Sequence, residues 1–203
     1  MWKSNPDGSP ERLIALADGV FAIAITLLVL DLTVPRGLNP DQYREALREL
    51  LPDLGAYALS VMVLGGFWHG HRTIFRWVRQ VDGQVVALSV LGLGAAALVP
   101  FPTRLISDYG REPVSVAIYA GAVAALGATH AGLVALLTRR PWLCGRVAPD
   151  EEFAHHIRDL SATVVVFLVS IPLTLVLGAA AAWCWLLLVP LKVFMGRRAR
   201  RAR

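Results

Sequence analysis

Residues 12–32 read RLIALADGVFAIAITLLVLDL, and this stretch decides the fold. Apart from Asp18 and Thr26 its middle is apolar. A membrane crossing takes about 20 such residues in a helix. The run is expected to span a bilayer over residues 13–34. It stops where Pro35, Gly37, Asn39 and Pro40 deny the helix its donors and favour turns.

The rest of the chain repeats the pattern. Its 203 residues are 56% hydrophobic and 17% charged, against roughly 25% charged in a typical soluble domain. The mean hydropathy is +0.55. Such a composition excludes a soluble enzyme, a disordered chain and a nucleic-acid module. Further spans are expected over residues 54–75, 85–106 and 114–137. Residues 41–50, DQYREALREL, read as a short interfacial helix between the first two. The apolar block 160–195 is too long for one span and long enough for two. Gly178 and the alanines after it mark the turn, giving spans 179–195 and 160–177 on either side. A basic tail, residues 196–203, follows. The expectation is one all-α, polytopic domain of six transmembrane helices. The first apolar run is too long for a signal-peptide core and no small-residue cleavage site follows it.

The 20 basic residues orient this arrangement. With both termini in the cytoplasm, fifteen of the 20 lie inside, among them Arg12, Arg72, Arg140 and the tail, and five lie outside. That bias fits the positive-inside rule and an even number of spans. The tail either only anchors topology or also rests on anionic headgroups. Cys144 and Cys184 have no partner spacing, so neither a disulfide framework nor a zinc site is expected.

Polar groups inside spans are the functional candidates. Asp18 sits about one and a half turns into the first span. Arg12, six residues earlier, does not share its helix face. Asp18 either ties helices together or contacts an ion. Ile23, Thr26 and Leu30 recur at i, i+3 and i+7, one face of a helix. That face either packs on another helix or, if copies surround an axis, forms stacked rings. Apolar rings can constrict and dewet a pore, and hydroxyl rings offer oxygen to a cation. In the second span, GFWHGHRTIFRWV, His69 and His71 lie two apart and so on different sides. Chelation would want i, i+4. A hydrogen bond from His71 or Trp68 to Asp18 is expected instead. No GxSxG, HExxH, P-loop or GxGxxG motif occurs, so neither catalytic nor metal-ligating residues are assigned.

These residues bring a resemblance into view. The segment Arg12-Leu-Ile-Ala-Leu16-Ala17-Asp18, followed by Gly19 to Leu32, is similar to the first helix of the transmembrane protein 175 family of potassium channels. In that family it reads Arg-x-x-x-Phe-Ser-Asp and continues as GVFAIAITLLVLDL. Phe67-Trp68-x-x-His71, the stretch from Arg76 to Asp82, and LVPFPT at residues 98–103 are similar too. The likeness is specific over residues 12–106. It implies six spans per chain, a homotetramer, and a pore lined by the first helix. Position by position it makes Ile23 and Leu30 the hydrophobic constriction and Thr26 the hydroxyl ring for selectivity. Arg12, Asp18 and His71 become the polar network that fastens the helices. Leu16 and Ala17 depart from the family's Phe-Ser, which removes a hydroxyl near Asp18, and Ser89 stands where members often carry asparagine.

The resulting expectation is a passive, potassium-favouring cation channel of the cell membrane. Its partners would be identical subunits, potassium ions and membrane lipid, without nucleic acid. Potassium is the permeant species, and no cofactor is expected. The alternative is a proton-linked secondary transporter using Asp18 and His71. A non-conducting membrane scaffold is a further rival.

Overall fold

The structure is a computed structural model and describes residues 9–145 and 150–187. These residues are nearly all helical. Five of their helical stretches are long and apolar enough to cross a membrane: Glu11–Asp31, Pro40–Phe75, Gly83–Tyr109, Pro113–Arg139 and Ser161–Ala182. Of the expected sixth span, residues 179–195, the structure describes 179–187, as a 3-10 stretch; residues 188–195 and the basic tail 196–203 lie outside the described residues.

Helix α1 (Glu11–Leu28) buries Leu13, Ala17, Phe21, Ala24 and Leu28, a stripe at helical spacing. Its last turn tightens into a 3-10 turn, Val29–Asp31, and Leu32 leaves helical geometry. The first helix thus ends three residues before the expected residue 34. Pro35 has no N–H for the Asp31 carbonyl and pushes Val34 toward extended backbone, so the helix cannot continue. Helix α2 (Pro40–Glu49) is started by a capping box. The Asn39 side chain accepts from Asp41 N and Gln42 N, and the Gln42 side chain accepts from Asn39 N. It is the charged, exposed helix expected at residues 41–50, and it leads directly into α3 (Leu51–Phe75).

Asp82 caps the next helix, α4 (Gly83–Leu98), by accepting from Gln84 N and Val85 N at 3.1 and 2.9 Å. The third span does not run unbroken. At Val99 the backbone donates to Ala96 O rather than four residues back, and α5 (Pro100–Tyr109) takes over. Pro100 and Pro102 each lack the donor that an α-helix needs there. Helix α6 (Pro113–Arg139) is the most enclosed of the spans, packed by α4, α5 and α7 (Asp150–Leu177). Gly178 has φ +58, a conformation that glycine adopts without strain. It ends α7, and residues Gly178–Leu187 form a 3-10 stretch.

Helix α1 packs on α3, α4 and α5, while α7 packs on α6. On that far side Gly127 lets α6 approach α7: a Cβ there would collide with Val164 Cγ2. Valine is stiff at χ1 in a helix and cannot swing away cheaply. Gly127→Ala is therefore expected to cost about 1–3 kcal/mol, read as earlier thermal unfolding in detergent. Unchanged unfolding would refute that close approach.

Candidate functional site

The face of α1 turned away from the bundle carries the sequence-predicted stripe. Ile23 is 61% exposed and Leu30 67%, with Thr26 exposed between them. Leu16 and Leu27 also face outward. The Thr26 hydroxyl donates to Ile23 O at 2.9 Å. Its proton is thus committed to its own helix, and the oxygen lone pairs are what it can present outward. Such a group suits a cation and repels an anion.

Near the start of α1, Asp18 is held by α3. Trp68 Nε1 donates to Asp18 Oδ1 at 2.7 Å. Arg72 Nη1 lies 4.0 Å from Asp18 Oδ2, and its guanidinium sits 5.5 Å from the centre of the Trp68 ring, in cation–π range. The indole and the guanidinium thereby share one carboxylate. Of the two bonds expected from α3 to Asp18, the Trp68 bond is the one that forms.

His71, one turn away, is buried in a nest of rings. It stacks on Phe75 at 4.5 Å, meets His130 edge-on at 5.7 Å and lies 6.5 Å from Phe21. Its Nε2 has no hydrogen-bond partner among the described residues. Within one chain His71 joins α1, α3 and α6 by packing. His69 is exposed, on a different side of the helix as its spacing requires. Arg12 is exposed and forms no ion pair with the described residues. The cation beside Asp18 is Arg72 because α3, unlike residue 12, lies across from it. Ala17 is fully buried and puts a methyl where the family motif has a serine.

Three further polar groups escaped sequence reasoning. At the C-terminal end of α1, Arg104 Nη1 of α5 lies 3.6 Å from Asp31 Oδ1 while its Nε lies 3.5 Å from Asp108 Oδ2. In the core, Ser60 of α3 bonds Thr103 of α5 at 2.8 Å and Tyr119 of α6 at 3.0 Å, and Thr103 Oγ1 also donates to Val99 O. Between the spans, the buried Asp82 carboxylate is paired with Arg140. Beside it, Arg79 N and Gln80 N donate to Leu143 O, and Gly145 N donates to Trp77 O, so the α3–α4 and α6–α7 connections lie against each other. Burial in that joint pushes the Cys144 thiol above its ordinary range. The contacts between elements join residues tens of positions apart, and no local motif announces them.

Residues 12–100 match the family described as endosomal/lysosomal potassium channel TMEM175. A protein of Streptomyces collinus named as a potassium channel is 37% identical over 175 residues, covering 81% of this chain and 85% of that one. The crystal structure of a lysosomal potassium-selective channel TMEM175 homolog from Chamaesiphon minutus superposes with a TM-score of 0.73 at 27% identity, covering 93% of this chain and 97% of that chain. The endosomal/lysosomal proton channel TMEM175 of Mus musculus is 31% identical over 113 residues, which cover 52% of this chain and 23% of that protein. The chain belongs to the TMEM175 family of channels and is not an enzyme.

Proposed function

We propose that the chain is a passive, potassium-favouring cation channel of the cell membrane, assembled as a homotetramer with α1 of each subunit lining a central pore. The observation that carries the reading is the outward stripe of Ile23, Thr26 and Leu30 on a helix that is fastened to its own subunit by its opposite face. A spanning helix can turn such a stripe to lipid or to its own copies. The hydroxyl oxygen in the middle of it, and the potassium channels among the relatives, favour the copies. In this arrangement Ile23 forms the narrow apolar ring, Thr26 the oxygen ring and Leu30 the next apolar ring. A partly dehydrated ion crosses the Ile23 ring and regains oxygen contacts at Thr26. Asp18 and His71 hold α1 in register from behind. Both termini lie in the cytoplasm, with Arg72 and Arg140 at that side.

The transporter alternative would carry protons between Asp18 and His71. Trp68 bonds Asp18, and His71 packs on Phe75, Phe21 and His130, so the two carriers are not bonded to each other; a saturable flux coupled to pH would favour this reading.

Potassium and sodium flux through the protein in liposomes tests the reading. Thr26→Val keeps the shape and removes the oxygen. The preference for potassium is expected to fall about fivefold, taking roughly 1 kcal/mol for the lost oxygen contact. An unchanged preference at unchanged flux would remove Thr26 from the ion path.

A further inference from the structure

Two polar ties hold α1 to the rest of its subunit, and they differ in kind. The tie near Asp18 runs to Trp68 on α3, an unbroken 25-residue helix. The tie at Asp31 runs to Arg104 on α5, a segment that begins only after the break at Val99 and Pro100. Helix α5 is therefore a separate lever. Pro100 and Pro102 weaken its backbone continuity with α4, because two carbonyls of the preceding turn lose their helical donors. The Ser60–Thr103 bond and the Ser107 bond to Asp53 seat it against α3, and it packs on α6. The next residue after Thr103 is Arg104, so the lever's seat and its grip on α1 are adjacent. What Arg104 grips is also the least regular part of α1, the 3-10 turn Val29–Asp31, which includes Leu30.

Resting on the reading that α1 lines the pore, we propose that Arg104 is a positioning residue that couples α5 to the outer end of the pore helix and so sets the width of the Leu30 ring. The Ile23 ring lies nearer the middle of α1, toward the Trp68 tie, and is the fixed constriction. The Leu30 ring is the adjustable one. When the tie is made, the 3-10 turn is held and Leu30 stands toward the axis. When it is broken, the turn relaxes outward. Arg104 serves because its guanidinium reaches Asp31 through Nη1 and Asp108 through Nε together. Lysine, a single point charge, cannot bridge both in this way.

Single-channel recording in planar bilayers tests this, using Arg104→Gln, Asp31→Asn and the exchange Asp31→Arg with Arg104→Asp. Ile23→Asn is recorded alongside as a check of the pore face. Each single change is expected to raise the open-to-closed ratio about twofold to fivefold, the range an exposed ion pair gives. The rise should shrink as salt goes from about 0.1 to 1 M and screens the pair in the reference protein. The exchange re-forms the pair between positions 31 and 104 without the contact to Asp108, so it should return the ratio part of the way toward that of the unaltered protein, which a mere change of charge at the mouth would not produce. Should Arg104→Gln fail to assemble, Arg104→Lys is expected to shift the ratio in the same direction. Unaltered ratios in the single variants, or an exchange no better than they are, would overturn the coupling. If Ile23→Asn changes conduction while the Arg104 and Asp31 variants do not, the coupling fails and the pore face stands. If Ile23→Asn also conducts as the unaltered protein does, the pore face itself fails.

Discussion

Ile23→Asn is expected to raise cation flux about tenfold or more and to weaken the preference for potassium. An isoleucine ring offers a permeating ion nothing in exchange for its hydration, and a narrow apolar ring sheds water. An amide at the same place supplies both donor and acceptor groups. Offsetting only about 1.4 kcal/mol of the dehydration barrier yields the tenfold change. Because Ile23 is 61% exposed and outside the buried stripe of α1, the substitution leaves the subunit's own packing intact. The increase should therefore appear at unchanged assembly size in detergent. The measurement is potassium and sodium flux into liposomes carrying matched amounts of protein. Flux equal to that of the unaltered protein would mean that the Ile23 face does not border the ion path.

The second large effect concerns stability. Arg140→Met is expected to destabilise the protein by about 3–5 kcal/mol, because it strands the fully buried Asp82 carboxylate without its cation. In a thermal denaturation experiment this is a loss on the order of 10 °C. Combining it with Asp82→Asn should recover most of the loss. Asparagine still caps α4 through its side-chain oxygen, and it carries no charge to bury. Ion preference should be unaffected, since this pair lies at the connections between spans and away from the Ile23 stripe. If the double variant is no more stable than Arg140→Met alone, the cost does not come from an unpaired charge.

The two effects separate what α1 does from what holds it. In the proposed channel the stripe governs passage; within one chain it is exposed. The fasteners govern position, and they range from the fully buried Asp82 to the largely exposed Arg104. A variant in the first group should change flux without changing unfolding. A variant at Asp82 or Arg140 should do the reverse.

Much of the fold could be read directly. Apolar runs of spanning length, broken by Pro35, Gly37, Asn39, Pro40 and Gly178, located the helices because hydrophobicity and turn chemistry act locally. The register of α1 was legible as well, since Ile23, Thr26 and Leu30 share a face by helical geometry alone. The end of α1 was misplaced by three residues because hydropathy extends past Asp31, whereas the missing donor of Pro35 acts several residues upstream. The site was legible only in part. Asp18 stood out as an acid in a span, but its partners depended on which helix lay opposite. Arg72 and Trp68 do, while Arg12 does not.

By itself, then, the sequence determined a helical membrane chain of a recognisable channel family, with one helix bearing an apolar stripe around a hydroxyl. Periodicity, span length and charge bias are properties of neighbouring residues, so no folding is needed to read them. Tertiary structure alone decided that the stripe faces outward, that Trp68 takes the bond to Asp18, that Asp82 is buried with Arg140, and that α5 grips the far end of α1 through Arg104. Those pairings lie about 50 to 75 positions apart along the chain. They exist because apolar faces must be packed together, and the polar groups carried along with those faces then find whichever partner the packing brings within reach.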